Sequence, residues 1–324
     1  MKALVTGAHG FVGSHLVERL MAGGTALRCL ARQGVPERLR GLDVEVAAGD
    51  LETGRGLAEA VRGVDEVWHL GALTRSRTRR QMLRVNAAAT LALARHAAAA
   101  GVQRFVFCSS LAAVGPSPDG QPLDEQQPLR PVTTYGRSKQ QAEQGLRGLA
   151  GDLPWVVVRP PAVYGPRDRD FLALFQAVSR GLLPVLGSPR RRLCLVHVED
   201  LAEGLLAVGR SPAALAGAWF VTADPPVTQA GLAQALAGAV GRTPRQLSLP
   251  ASAARLLGAC AEALGQLAPR PLLLSRERVA EVGEGHWVCS GEATARAVGW
   301  RARLSLPEGL AATARWYRQQ GLLA

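Results

Sequence analysis

Thr6-Gly7-Ala8-His9-Gly10-Phe11-Val12-Gly13 follows directly on the apolar run Lys2-Ala3-Leu4-Val5. Three glycines at this spacing allow a tight turn, a close approach of backbone to ligand, and close packing of a helix on a strand. The helix opened by the turn would aim its first N–H groups at a pyrophosphate. Such a turn standing alone says little. Placed between an N-terminal strand and a helix, it has the setting that dinucleotide binding requires. The expected fold is therefore α/β, a doubly wound parallel sheet of the Rossmann type with a smaller, interleaved C-terminal part.

The flanking sequence continues the alternation. Strands are expected at 2–6, 26–31, 43–47, 65–70, 104–108 and 155–159, and helices at 11–22, 55–62, 80–99 and 134–149. Residues 161–192 read as loop-rich, with many Pro, Gly and Arg. One more strand (193–198) and helix (199–208) follow, then a strand at 218–222, and short helices from 226 onward. Residues 1–165, completed by about 193–223, are expected to form the nucleotide-binding core, and 166–192 with 224–324 the substrate-binding part.

The end of the second strand bears on which dinucleotide is used. It reads Leu27-Arg28-Cys29-Leu30-Ala31-Arg32-Gln33 and lacks the acid that would accept hydrogen bonds from the adenine ribose of NAD. Arg32 instead offers a guanidinium to a 2′-phosphate, so NADP is favoured over NAD. Asp50 and Leu51, after the third strand, are placed to meet the adenine.

The chain holds only two lysines, Lys2 and Lys139, among 38 basic Lys and Arg residues, and only three tyrosines. Tyr135 and Lys139 lie four positions apart, on one helical face. A lysine kept in so arginine-biased a chain points to a need for a primary ammonium. A cation beside a phenol favours the phenolate and equips it to exchange a proton with a substrate oxygen.

Composition limits the alternatives. A net charge of +12 suggests an acidic partner, but the basic residues are scattered and aromatics make up only 5%. Nucleic acid is therefore not the expected partner. Five cysteines without CxxC spacing read as reduced thiols with no metal site, in keeping with a cytoplasmic protein. The chain opens directly into a strand, so no signal peptide is expected. The apolar stretch 251–274 is interrupted by Arg255, Glu262, Gln266 and Arg270, and reads as an amphipathic helix with a following turn, not a membrane span.

Together with GDL (49–51), HLGA (69–72), FCSSLAAVG (107–115), YGRSK (135–139), RPPAVYGP (159–166) and LVHVEDLA (195–202), these strings resemble the extended short-chain dehydrogenase/reductase family, the NAD-dependent epimerase/dehydratase superfamily. The resemblance implies that Ser110 orients the substrate oxygen, with Ser109 the less favoured neighbour. It implies that Tyr135 is the acid/base and that Lys139 holds the nicotinamide ribose. Gly7, Gly10, Phe11, Val12, Gly13, Gly71, Ala72 and Asn86 match positions along the cofactor, and Pro160 and Val163 match the segment beside the nicotinamide. Tyr164 is expected to pack, and His197 to be a satisfied core histidine. The branch similar to dihydroflavonol reductase and 3β-hydroxysteroid dehydrogenase fits best, because Ala162 stands where nucleotide-sugar epimerases carry Asn and Leu193 where they carry an arginine. Leu111-Ala112 replace the acidic pair of dehydratases. The expectation is an NADP-dependent reductase of a ketone, or dehydrogenase of a secondary alcohol, acting on a small, fairly apolar molecule. An epimerase holding NAD tightly and a non-catalytic NAD(P)-binding sensor remain as alternatives. Relatives in the family pair through helices equivalent to 80–99 and 134–149, which implies a homodimer.

Overall fold

A computed structural model describes residues 1–76, 78–149, 151–186, 188–249 and 285–323. The stretch 251–274, Cys260 and Arg77 lie outside the described residues. In chain order, β1 (Lys2–Thr6), α1 (Phe11–Ala22), β2 (Ala26–Ala31), β3 (Glu45–Ala48), α2 (Leu57–Ala60) and β4 (Glu66–His69) come first. A long helix follows as α3 (Arg79–Leu83) and α4 (Ala89–Ala99), joined by a π-helical segment, Arg84–Ala88. Next come β5 (Arg104–Cys108), α5 (Thr134–Arg147), β6 (Trp155–Arg159), β7 (Ala162–Tyr164), α6 (Asp170–Ser179) and β8 (Leu182–Leu186). The remainder is β9 (Arg192–His197), α7 (Val198–Arg210), β10 (Ala218–Phe220), β11 (Ala223–Thr228), α8 (Gln229–Val240), β12 (Arg245–Leu249), α9 (Glu292–Val298) and α10 (Leu306–Gln319).

Seven parallel strands form one sheet in the order β10-β6-β5-β4-β1-β2-β3. The order turns back between β1 and β4, and the crevice at such a switch point is where doubly wound sheets bind ligands. Alternate residues of β1 serve opposite layers, as strand periodicity demands. Ala3 and Val5 pack with Leu16, Val17 and Leu20 of α1 and Leu201, Leu205 and Val208 of α7. Leu4 packs on the other side with Leu57 of α2, Leu93 and Ala97 of α4, and Ala142 and Leu146 of α5.

Two smaller sheets, β11-β9-β7 and β12-β8, complete the strands. Here the sequence reading is corrected. The stretch read as loop (161–192) contains β7, α6 and β8. Asp168 starts α6 by accepting from the Asp170 and Phe171 N–H groups at 3.0 and 2.9 Å, a cap hidden among the arginines. Beyond 226 the helices α8 and α10 run to 12 and 14 residues, and strands β11 and β12 occur as well. β11 carries Pro225 and Pro226, which cannot donate to a ladder, and it lies at a sheet edge where that is tolerated. Among the described residues no helix is long and apolar enough to cross a membrane.

Candidate active site

The glycine turn forms a backbone cradle at the head of α1. Gly7 has φ +71°, and a Cβ there would lie 2.8 Å from the Gly71 nitrogen. A Cβ on Gly13 would lie 2.0 Å from the Gly7 carbonyl oxygen, and one on Gly10 would lie 3.0 Å from it. A Cβ on Gly71 would meet Leu51 Cδ1 at 2.6 Å, so the loops after β1, β3 and β4 converge. No side chain caps α1 and its first turn, Phe11-Val12-Gly13, holds no acid. Its leading N–H groups thus suit the pyrophosphate of a dinucleotide. Ala72 follows Gly71 in the same loop. Asp50 Oδ1 accepts from the Glu52 N–H at 2.8 Å, which shapes the loop bearing Leu51.

Arg32 stands exposed one residue past β2. Its surroundings are basic. Burial lowers the pKa of the His9 imidazole, and Arg32 and Arg38 lower it further. The Arg38 guanidinium donates to the His9 carbonyl at 3.2 Å, and burial and then Arg167 and Arg169 lower its pKa in turn. Arg38 and Arg169 were not singled out from sequence, because only the fold brings residues 9, 32, 38 and 169 to one place.

Around the other end of the groove, Ser110 terminates the loop after β5 and starts a 3-10 turn, Leu111–Ala113, by accepting from the Ala112 N–H at 3.1 Å. Tyr135, Gly136 and Lys139 lie in the first turns of α5, which Thr133 caps by accepting from the Gly136 N–H at 3.0 Å. A Cβ on Gly136 would lie 2.1 Å from the Ala112 carbonyl oxygen. This glycine is what lets the helix with Tyr135 rest on the turn led by Ser110. Gly136→Ala is therefore expected to destabilise the protein by about 1–3 kcal/mol, because backbone must move to admit one methyl. A urea midpoint equal to the parent's would refute that reading.

Lys139 is 2% exposed. Its Nζ donates to the Cys108 carbonyl at 2.7 Å and stands 4.7 Å from the Phe107 ring centroid and 5.9 Å from that of Tyr135. Burial lowers its pKa to about 8, against the opposing influence of Cys108 and Glu143. Ser109 is buried. Its hydroxyl donates to Glu143, whose carboxylate is held by Arg159 through Nε at 3.1 and 3.2 Å and Nη2 at 2.6 Å. The Ser109 hydroxyl is thus taken up by an internal carboxylate. Sequence reading passed over Glu143, although it lies one further turn along the Tyr135–Lys139 face.

Pro160 sits beside Ser110, since its carbonyl accepts from the Leu111 N–H at 2.8 Å. Val163 lies in β7, opposite Val196 of β9. Asn86 lies in the π-helical segment. It is 1% exposed, and its amide turns to the chain: Oδ1 accepts from the Leu73 N–H at 2.7 Å, while Nδ2 donates to the Leu73 carbonyl at 2.8 Å and to Ser138 Oγ at 3.0 Å. Tyr164 packs against His197 and Phe171. His197 is only half satisfied: its Nδ1 accepts from the Glu199 N–H at 3.4 Å, whereas its buried Nε2 has no partner among the described residues.

The model of the NAD-dependent epimerase/dehydratase family matches residues 3–220, which takes in β1 through β10. The chain belongs to that family. As a member of the NAD-dependent epimerase/dehydratase family it is an enzyme, an NAD(P)-dependent oxidoreductase of the extended short-chain dehydrogenase/reductase type. It is 35% identical to a ceramide reductase of Caulobacter vibrioides over 98% of this chain and 95% of that one. It is 32% identical to a ketoreductase of Stigmatella aurantiaca named for a farnesylated dihydroquinoline oxide, over 82% of this chain and 80% of that one. Proteins named dihydroflavonol reductase and 3-beta-hydroxysteroid dehydrogenase match as well. The fold is that of UDP-glucose 4-epimerase from Thermotoga maritima, with a TM-score of 0.81, 21% identity and 99% of each chain covered.

Proposed function

We propose that this protein is an NADP-dependent reductase of a ketone on a large apolar molecule of the long-chain amide-lipid kind, or, run in reverse, a dehydrogenase of the secondary alcohol. The observation that carries the reading is the gathering of Ser110, Tyr135 and Lys139 beside an uncapped glycine cradle, with Lys139 anchored on the Cys108 carbonyl. The bound dinucleotide supplies the hydride that reduces the carbonyl carbon. Ser110 orients the carbonyl oxygen by hydrogen bond, and Tyr135 gives that oxygen its proton. Lys139 holds the ribose hydroxyls and keeps a positive charge beside the phenol. The lipid character of the substrate is suggested by the names of the ceramide reductase and the farnesyl-substrate ketoreductase.

NADP is favoured by the basic set His9, Arg32, Arg38 and Arg169, whose members Arg32 and Arg38 depress the His9 pKa together. Crowded cations of this kind are relieved by a dianionic 2′-phosphate. Arg32→Ala is expected to reduce the NADPH-over-NADH preference by about 10- to 100-fold, the worth of one charge-assisted contact. An unchanged ratio of the two Kd values would remove Arg32 from the site.

The family's description keeps a second reading in view, an epimerase with tightly held NAD. Ala162 and the engagement of Arg192 Nη1 with the Gly120 carbonyl at 3.1 Å speak against a nucleotide-sugar diphosphate. Mass spectrometry of nucleotide released from freshly denatured protein, with NADPH and NADH titrations, separates the two. Stoichiometric NAD would favour the epimerase; an empty site preferring NADPH would favour the reductase.

A further inference from the structure

His69 ends β4 and is fully buried. Its Nδ1 is 2.7 Å from Thr6 Oγ1, and its Nε2 is 2.8 Å from Thr90 Oγ1. The Thr90 hydroxyl donates to the Asn86 carbonyl at 2.7 Å, so toward His69 it can only accept. Nε2 therefore carries the proton, and Nδ1 accepts from the Thr6 hydroxyl. Thr6 Oγ1 in turn accepts from the Gly71 N–H at 3.0 Å. One tautomer satisfies every member. Burial, reinforced by Lys139, lowers the imidazole pKa to about 3, so the ring stays neutral at working pH.

The chain of bonds runs on from both ends. Thr6 leads into Gly7, and Gly71 is the residue on which Gly7 packs. At the other end, Asn86 lies in the π-helical segment and donates to Ser138, whose hydroxyl donates to the Tyr135 carbonyl at 2.7 Å. The His69 ring also stacks on Phe107, with centroids 5.6 Å apart and planes at 21°, and Phe107 is the ring beside which Lys139 Nζ stands.

We infer that His69 is a positioning residue that fixes the dinucleotide-binding turn and the Tyr135 helix relative to each other, through Thr6 on one side and Thr90 and Asn86 on the other. The inference rests on the roles proposed above for Tyr135 and the glycine cradle. Its two arms are separable. His69→Asn keeps an acceptor near the Nδ1 position for Thr6; His69→Gln keeps a donor near the Nε2 position for Thr90. His69→Phe keeps the stack on Phe107 and loses both bonds.

NADPH Kd, read by fluorescence titration, is expected to rise about tenfold in His69→Gln and His69→Phe and to stay within about twofold in His69→Asn, as for one buried hydrogen bond lost or kept. Single-turnover rates on a long-chain ketoceramide are expected to fall about tenfold in His69→Asn and His69→Phe and little in His69→Gln. Thr90→Val, which removes the bond on the side of the ring opposite Thr6, should lower that rate with NADPH Kd unchanged, and it carries the test should the His69 variants misfold. Equal losses in all variants, in step with the fraction folded, would overturn the inference, as would a parental rate in Thr90→Val. If the parent protein binds NADPH but never reduces the ketone, the substrate reading fails alone, and the Kd contrast between His69→Asn and His69→Gln still decides the role of His69.

Discussion

Tyr135→Phe is expected to lower kcat by about 10²- to 10⁴-fold, the usual worth of a positioned proton donor. NADPH Kd should change by less than about tenfold, since the lost hydroxyl contributes at most one hydrogen bond. The contrast follows from where the neighbours lie. Lys139 Nζ is fixed on the Cys108 carbonyl and stands 5.9 Å from the Tyr135 ring, a contact that phenylalanine retains. The helix keeps its Thr133 cap and its seat on Ala112, neither of which involves the phenol. What disappears, on the mechanism proposed above, is the proton for the carbonyl oxygen, while the cationic charge remains nearby. Steady-state kcat with the parental substrate, alongside a fluorescence titration of NADPH, checks the split. Activity retained within a factor of three would take Tyr135 out of the proton transfer.

The parts legible from sequence are those set by local covalent geometry. Gly7, Gly10 and Gly13 announce a cradle because no other residue admits the approach now seen at the Gly7 carbonyl and Gly71. Tyr135 and Lys139 declare a shared face through their i, i+4 spacing, and lysine's scarcity in this chain draws the eye to it. The alternation of short apolar runs and helical stretches gives the sheet, since each strand must feed both layers. Pairings over long separations carried no such mark. His69 meets Thr6 across 63 residues and Glu143 meets Arg159 across 16, and nothing local tells a buried polar side chain which partner it will find. Asn86 illustrates the same limit: nothing local marks Leu73 and Ser138 as the partners of its amide. β11 was missed for the opposite reason, because two prolines argue against a strand until its edge position is known.

Arg159→Ala is expected to destabilise the protein by about 3–5 kcal/mol, the largest stability loss of any single change considered, because it strands the Glu143 carboxylate in the interior. Arg159 is 0% exposed and Glu143 1%, so water cannot replace the lost guanidinium. Arg159 Nη1 also donates to the Glu125 carbonyl at 3.3 Å, and the Glu125 side chain accepts from the Phe220 N–H at 3.1 Å. Removing the guanidinium thus loosens the loop before α5 as well as the joint between α5 and β6. Substrate turnover should suffer beyond the loss of folded protein. Glu143 grips Ser109 while Lys139, one turn earlier, grips Cys108, and these two contacts together fix the register of α5 against the chain just before Ser110. The double variant Arg159→Met with Glu143→Leu separates the two effects. Without a stranded charge it should regain most of the stability, since apolar replacement of a buried ion pair is often neutral. It should not regain kcat, because Ser109 has lost its acceptor and α5 a polar hold on the chain just after β5. Urea midpoints and kcat per folded site, measured on the parent, the single and the double variants, decide the matter. Full recovery of both in the double variant would reduce the ion pair to packing, with no part in aligning the reacting groups.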